Sequence, residues 1–468
     1  MTKRYKKTQR EGGTRMDHSG NRFATEPMLP LMTKMALPAI AAQLVNLLYN
    51  IVDRIYIGHI AKIGTQALAG VGVCGSILLL ISAFASFVGG GGAPIAAIEL
   101  GKGNEKRARQ LMNNGFFLLV VMTFLTMLPT YLFMKPLLYL VGASDATYPY
   151  ARQYLSVYLT GTFFVMITIG MNPFLNVQGH PVTAMVTVLI GAVLNIVLDP
   201  LFIFVLGMGV KGAAWATVIS QVVSAVWILL FLRSDRASLP LSFIDMKPSW
   251  SLIRPILSLG ISPFVMAITE SIIGFVLNRG LAAYGDIHVS AMTIMQSCMQ
   301  MISVPVTGFT TGAMPVISYN YGAGLTDRVK EGTKIDFILL STFNVIMVLA
   351  MVLEPGMFAR IFTRDKELIG IVKRYMPVFL TGLSIFGLQR ACQNTFVALD
   401  QPKVSLFIAL LRKIFLLVPL ALILPHLFGL GVTGIYLAES IADATAATIC
   451  TIIFVHRFPK ILKEAGKK

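Results

Sequence analysis

Asp53, Asp199, Glu270, Glu439 and Asp443 stand in runs of sequence otherwise too apolar to hold a charge. A charged side chain at mid-bilayer costs on the order of 3 kcal/mol on insertion scales, so such residues pair, face water or serve a ligand. Amides and hydroxyls accompany them at helical spacing. Gln43, Asn46, Asn50 and Asp53 share one helical face, as do Thr217, Gln221 and Ser224, and again Gln296, Gln300, Ser303 and Thr307. Such stripes suit either a wet cavity or helix–helix hydrogen bonding. Ion pairing is the competing account of the acids: Arg54 adjoins Asp53, and Arg412 and Lys413 are available to Glu439 and Asp443. Asn195 lies one turn before Asp199, and Pro200, lacking an N–H, leaves the carbonyl of Ile196 without its helical donor. A carboxylate, an amide and a freed carbonyl together make a site for a proton or a hard cation.

Signatures of other chemistries are missing. The sequence has no GxxxxGK[ST], no HExxH and no GxSxG, so neither an ATPase nor an enzyme is expected. Gly70-Val-Gly-Val-Cys-Gly75 fits a nucleotide-binding pattern, but it lies in an apolar run with no strand before it and reads as close helix packing. Cys74, Cys298, Cys392 and Cys450 all sit in apolar runs, as small buried hydrophobes do, and no Cys or His spacing suggests a metal site.

The elements that carry these residues must cross a bilayer. Of 468 residues 55% are hydrophobic and only 13% charged, against about a quarter charged in a soluble domain. Apolar runs such as Leu111–Met134, Val182–Leu206, Ala213–Leu232, Phe337–Leu353 and Ile435–Val455 recur along the chain. They predict an all-α membrane protein of about twelve spans, helical because lipid offers backbone groups no partner.

The net charge of +17 does not point to nucleic acid. An even number of spans puts both termini on one side, and 25 Lys/Arg then fall on that side against nine on the other. That bias places both termini in the cytoplasm. Met1–Pro27 is polar, without the apolar core of a signal peptide.

The chain also repeats at a shift of about 221–225 residues. Pro94, Gly101-Lys-Gly103 and Arg107 recur as Pro315, Gly322-Ala-Gly324 and Arg328, while Thr160-Gly161 recurs as Thr381-Gly382, and Pro181 as Pro402. Each copy holds about six spans, so the two insert the same way up, as a parallel repeat whose lobes rock about a central cavity. The expected organisation is a disordered basic tail (1–34), an N-terminal lobe (35–232), a cytoplasmic linker (233–254), a C-terminal lobe (255–456) and a second basic tail (457–468). At 1.5 Å per helical residue, Asp53 lies about 27 Å up the first span and Asp199 about 25 Å up the fifth. Thr217 lies about one turn below the outer end of the sixth, so the three are expected to meet in the outer half of the N-terminal lobe. Glu270 lies about 21 Å up the seventh span.

Over residues 30–456 the sequence resembles the multidrug and toxic compound extrusion (MATE) family. The resemblance rests on Ile51-Val-Asp53-Arg-Ile-Tyr-Ile-Gly58, Asn195-Ile-Val-Leu-Asp199-Pro-Leu-Phe-Ile-Phe204, Gly209-Val-Lys-Gly-Ala-Ala-Trp-Ala-Thr217 and the two-lobe repeat. It implies a V-shaped, monomeric, multi-pass antiporter of the bacterial plasma (inner) membrane, closest to the MepA-like and DinF-like branches. Such a protein exports amphipathic cations in exchange for H+ or Na+ and needs no cofactor. The resemblance assigns the coupling ion, including a possible Na+, to Asp53 and Asp199, with Asn172, Asn195 and Thr217 as polar neighbours. Glu270 matches a cation-site glutamate of the NorM-like branch, but Arg390 stands near that branch's second acid. Glu270 is therefore expected to contact cargo or to pair with Arg390 or Arg279, with Gln296 and Gln300 lining the same C-lobe site and Glu439 and Asp443 as secondary acids. Two other readings stay open: a flippase for a lipid-linked oligosaccharide, with Arg54, Arg279 and Arg390 meeting its pyrophosphate, and an intramembrane transferase.

Overall fold

The computed structural model describes residues 18–61, 63–242, 247–427 and 429–465, and all regular structure among them is helical. The amphipathic helix α1 (His18–Thr25) leads into α2 (Met28–Gly58), α3 (Gly64–Gly101) and α4 (Glu105–Leu132). Short α5 (Met134–Leu140) precedes α6 (Tyr148–Thr160), α7 (Thr162–Val177), α8 (Pro181–Pro200) and α9 (Val210–Arg233). The second half runs through α10 (Trp250–Ala282), α11 (Asp286–Gly322), α12 (Thr326–Leu353), short α13 (Pro355–Phe362), α14 (Lys366–Leu380), α15 (Phe386–Ala398), α16 (Pro402–Leu410), α17 (Val418–Ile423) and α18 (Val432–Ala465). Eleven helical segments are long and apolar enough to cross a membrane, and α6 with α7, bent by 61°, makes a twelfth.

Local chemistry explains where several of these elements start and bend. The Asn104 side chain caps α4 by accepting the Arg107 N–H at 3.2 Å, and Asp365 caps α14 through the N–H groups of Glu367 and Leu368. The repeated Thr-Gly pair marks the bend in both halves. A Cβ at Gly161 would sit 2.7 Å from the Val218 side chain of α9. At Gly382, in the 3-10 turn Thr381–Ile385, it would run into the Ser440 backbone of α18. Only glycine lets these spans break while pressed against the last helix of their own lobe. The fifth and eleventh spans instead widen into π turns, at Leu201–Val205 directly after Pro200 and at Leu411–Leu417.

One core gathers side chains from Ile57 to Leu259, and a second from Ile273 to Ala442. A third mixes the start of the chain with the second half: Phe23, Met28, Leu31, Met32 and Met35 pack with Val316, Val329 and Phe396. α2 therefore straddles the molecule. Its first turns belong to the C-terminal lobe, with Ala36 and Ile40 against Gly312 and Gly308 of α11, while its later half lies along α8. The lobes meet toward the face that carries the two chain ends. There Gly101 abuts the Tyr319 carbonyl, Gly322 abuts the Ile98 carbonyl, and Gly91 and Gly260 seat α3 against α10. Gly72 and Gly75, nearer the other end of α3, have nothing packed within 4 Å of the Cβ position.

Two expectations change. The basic tail to residue 34 is helical from His18, and α2 already begins at Met28. Arg328 and Asn320 fix the α1–α2 junction by donating to the Phe23 carbonyl at 2.9 and 3.0 Å, and Arg328 also reaches the Glu26 carbonyl at 2.7 Å. Residues 1–17 and 466–468 lie outside the described residues. The linker is shorter than 233–254: α10 begins at Trp250, and the connection is held by Asn114 accepting the Ser249 N–H and Gln178 accepting the Leu239 N–H.

Candidate functional site

In the N-terminal lobe, α2 and α8 bring the Asp53 and Asp199 carboxyls face to face within hydrogen-bonding reach. Asp199 is wholly buried and Asn195 nearly so. The Asn195 amide donates to Asp199 Oδ1 at 3.4 Å and to the Thr217 hydroxyl at 3.3 Å, and Thr217 passes its own proton to the Ala213 carbonyl at 3.1 Å. Three oxygens of this cluster, Asp53 Oδ1, Asp199 Oδ2 and Asn195 Oδ1, are buried without a donor. A buried acceptor left unpaired costs about 1–3 kcal/mol. A cluster with three of them is short of positive charge, which a proton or a hard cation would supply. Among the described residues no ion pair joins Asp53 to Arg54.

Asn172 does not join the cluster. Its amide donates to the Ala184 carbonyl at 3.3 Å, at a position about 22 Å before Asp199 along α8. The expectation for it came from motif matching, which does not set which way a side chain turns. Tyr49 lies near both carboxyls and Tyr154 near Asp53 and the Thr217 hydroxyl, and spacing alone did not single them out. Of the sixth-span stripe, Thr217 belongs to the site, whereas Ser224 bonds the Thr187 carbonyl and serves helix packing.

The C-terminal lobe holds a cavity of about 490 Å3. The stripe Gln296, Gln300, Ser303 and Thr307 lines it from α11, with Glu270 from α10, Arg390 from α15 and Glu439 from α18. The π turn at Leu411–Leu417 sends two adjacent cations to different partners. Lys413 pairs with Glu270 at 3.2 Å, and Arg412 with Glu439 at 3.2 Å and with Asp443. The expected partner of Glu270, Arg390 or Arg279, is thus replaced by Lys413. A turn with one extra residue rotates the side chains that follow it, and no residue type announces it in advance.

Asp336 stands just after the basic run Arg328–Lys334, and no polar stripe in the sequence pointed to it. It is wholly buried on α12, accepts from the Asn394 amide at 2.8 Å and keeps Oδ1 without a partner.

A two-lobed bundle with an ion-accepting cluster in one lobe and a charged cavity in the other is the architecture of a secondary membrane transporter. The MatE family model matches residues 38–201 and 263–423, and the chain belongs to that family. The multidrug export protein MepA of Staphylococcus haemolyticus (strain JCSC1435) is 22% identical over 92% of this chain and 94% of its own length. MepA of Staphylococcus saprophyticus is 25% identical over 90% and 92%. Among solved structures, a MATE protein in the bent conformation superposes with a TM-score of 0.89 at 23% identity, covering 96% of this chain and 99% of that one. The outward-facing conformation of a multidrug resistance MATE family transporter gives 0.88 at the same identity, covering 95% and 99%. At such identities the structural likeness speaks for the fold.

Proposed function

We propose that the protein is a secondary active antiporter that exports amphipathic small molecules in exchange for protons or sodium ions. The observation that carries this reading is the buried Asp53–Asp199–Asn195 cluster, rich in acceptors and short of donors. It lies on α2, whose first turns pack in the opposite lobe. An ion that binds there changes the charge balance where α2 and α8 meet, and α2 transmits the change across the cleft. Pro38, inside α2, gives it a place to bend. Ion binding moves the lobes only so far as the two orientations differ in affinity for it. The names of the MepA relatives support a drug-like cargo, and a cavity of about 490 Å3 is of drug size. The Lys/Arg bias supports a bacterial plasma membrane protein with both termini in the cytoplasm.

The flippase reading keeps only Arg390 of its three expected cations at the cavity, because Arg54 and Arg279 do not line it, and Arg412 and Lys413 are already paired. The test is expression in a drug-sensitive host with loss of a fluorescent amphipathic compound followed over time. Asp53→Asn and Asp199→Asn should each slow extrusion at least about tenfold at equal membrane abundance, the factor that about 1.4 kcal/mol of lost coupling gives. Extrusion at the wild-type rate by both variants rejects the assignment.

A further inference from the structure

We propose that the C-lobe cavity binds amphipathic compounds through an anionic group, a carboxylate or its like, held by Arg390. The idea rests on the reading of this cavity as the cargo site. It departs from the cationic cargo that family resemblance implies.

The argument is a charge count with positions attached. Three cations line the cavity, Arg390, Arg412 and Lys413, against two acids, Glu270 and Glu439. The third acid, Asp443, is wholly buried beside Arg412 and outside the lining. Both lining acids are committed, Glu270 to Lys413 and Glu439 to Arg412, each at 3.2 Å. Arg390 is not: among the described residues its one hydrogen bond runs to the Thr307 hydroxyl at 3.3 Å, and no carboxylate lies within ion-pair distance. A guanidinium has five N–H donors in a planar fork that matches a carboxylate. Asp443 balances the third cation, so the six groups are neutral together, and Arg390 is the one cation among them with no carboxylate partner and the most unused donors.

The surroundings suit an amphiphile. Phe386 lies under both guanidiniums, 6.0 Å from Arg390 and 4.3 Å from Arg412, and Leu79, Met266, Ile273 and Met299 give an apolar wall. A cation entering here must share Glu270 or Glu439 with the cation already paired to it. An anion meets Arg390 and breaks nothing. A zwitterion satisfies the same rule through its acidic end.

Binding of three dansyl probes to the detergent-purified protein separates the cases: dansylglycine (a carboxylate), its methyl ester (neutral) and dansyl-ethylenediamine (an ammonium). In the wild type the carboxylate should bind about tenfold tighter than the ester, a difference of about 1.4 kcal/mol. The ammonium should bind weakest. Arg390→Gln should bring the carboxylate-to-ester ratio near one, Arg390→Lys should keep part of it, and Arg390→Glu should favour the ammonium. Equal binding of the three by the wild type, tighter binding of the ammonium, or an unchanged ratio in Arg390→Gln overturns the proposal. Should a variant fail to fold, the wild-type ranking alone still decides. The assay imposes no ion gradient, so its failure is distinct from failure of the antiport reading, which rests on Asp53 and Asp199.

Discussion

Arg412 holds two acids at once, and of the two Asp443 is the more deeply enclosed, with no exposure at all. Removing one partner of a buried ion pair leaves the other charge unsolvated and costs about 3–5 kcal/mol. Asp443→Asn should therefore lower the thermal unfolding midpoint of the purified protein clearly, and Glu439→Gln, beside the cavity, should lower it less. Equal midpoints for wild type and Asp443→Asn would mean the pair holds nothing together. This pairing was legible as one of the options the sequence left open, since Arg412 and Lys413 were the cations within reach. The meeting of Asp53 with Asp199 was legible too, because rise per residue sets depth along a helix whatever the packing. The Lys413–Glu270 pair was not. It depends on the π turn at Leu411–Leu417, which no residue type marks. The turning of Asn172 toward Ala184 is of the same kind, a choice of side-chain direction that periodicity does not make.

At the scale of elements, the repeat was plain in the sequence as paired Gly and Pro positions, and each pair has a mechanical counterpart. Gly161 and Gly382 allow the broken spans, and Gly101 and Gly322 allow α3 and α11 to close the terminal face. That such glycines seal one lobe against the other, rather than packing within a lobe, needed coordinates. The seal gives a prediction. A leucine at Gly322 collides with the Ile98 carbonyl, so Gly322→Leu should part the helices there. The observable is the labelling rate of Ile98→Cys by a maleimide reagent, slow with Gly322 in place and several-fold faster with Gly322→Leu. Matching rates would show that α3 and α11 do not form the barrier. α2 differs from the other spans in belonging to both lobes. Polar spacing showed its acidic end, but nothing in its apolar first turns said that Met28, Met32 and Met35 pack in the second half of the chain.

At the scale of the whole molecule, twelve crossings, two lobes and a shared terminal face follow from hydropathy, repeat and charge bias. In the antiport reading, the closed terminal face is one station of an alternating cycle. Such a cycle needs the ion and the cargo to favour different stations. The Asp53–Asp199 cluster lies in one lobe and the charged cavity in the other, so the proposed coupling runs through α2 and the lobes. Purified protein in liposomes, with a pH gradient and a sodium gradient imposed in turn, measures that coupling most directly. The account predicts that one of the two gradients drives uphill movement of cargo in the wild type. It predicts that neither does in Asp53→Asn or Asp199→Asn, while cargo still binds. Gradient-driven transport undiminished in both variants would contradict it.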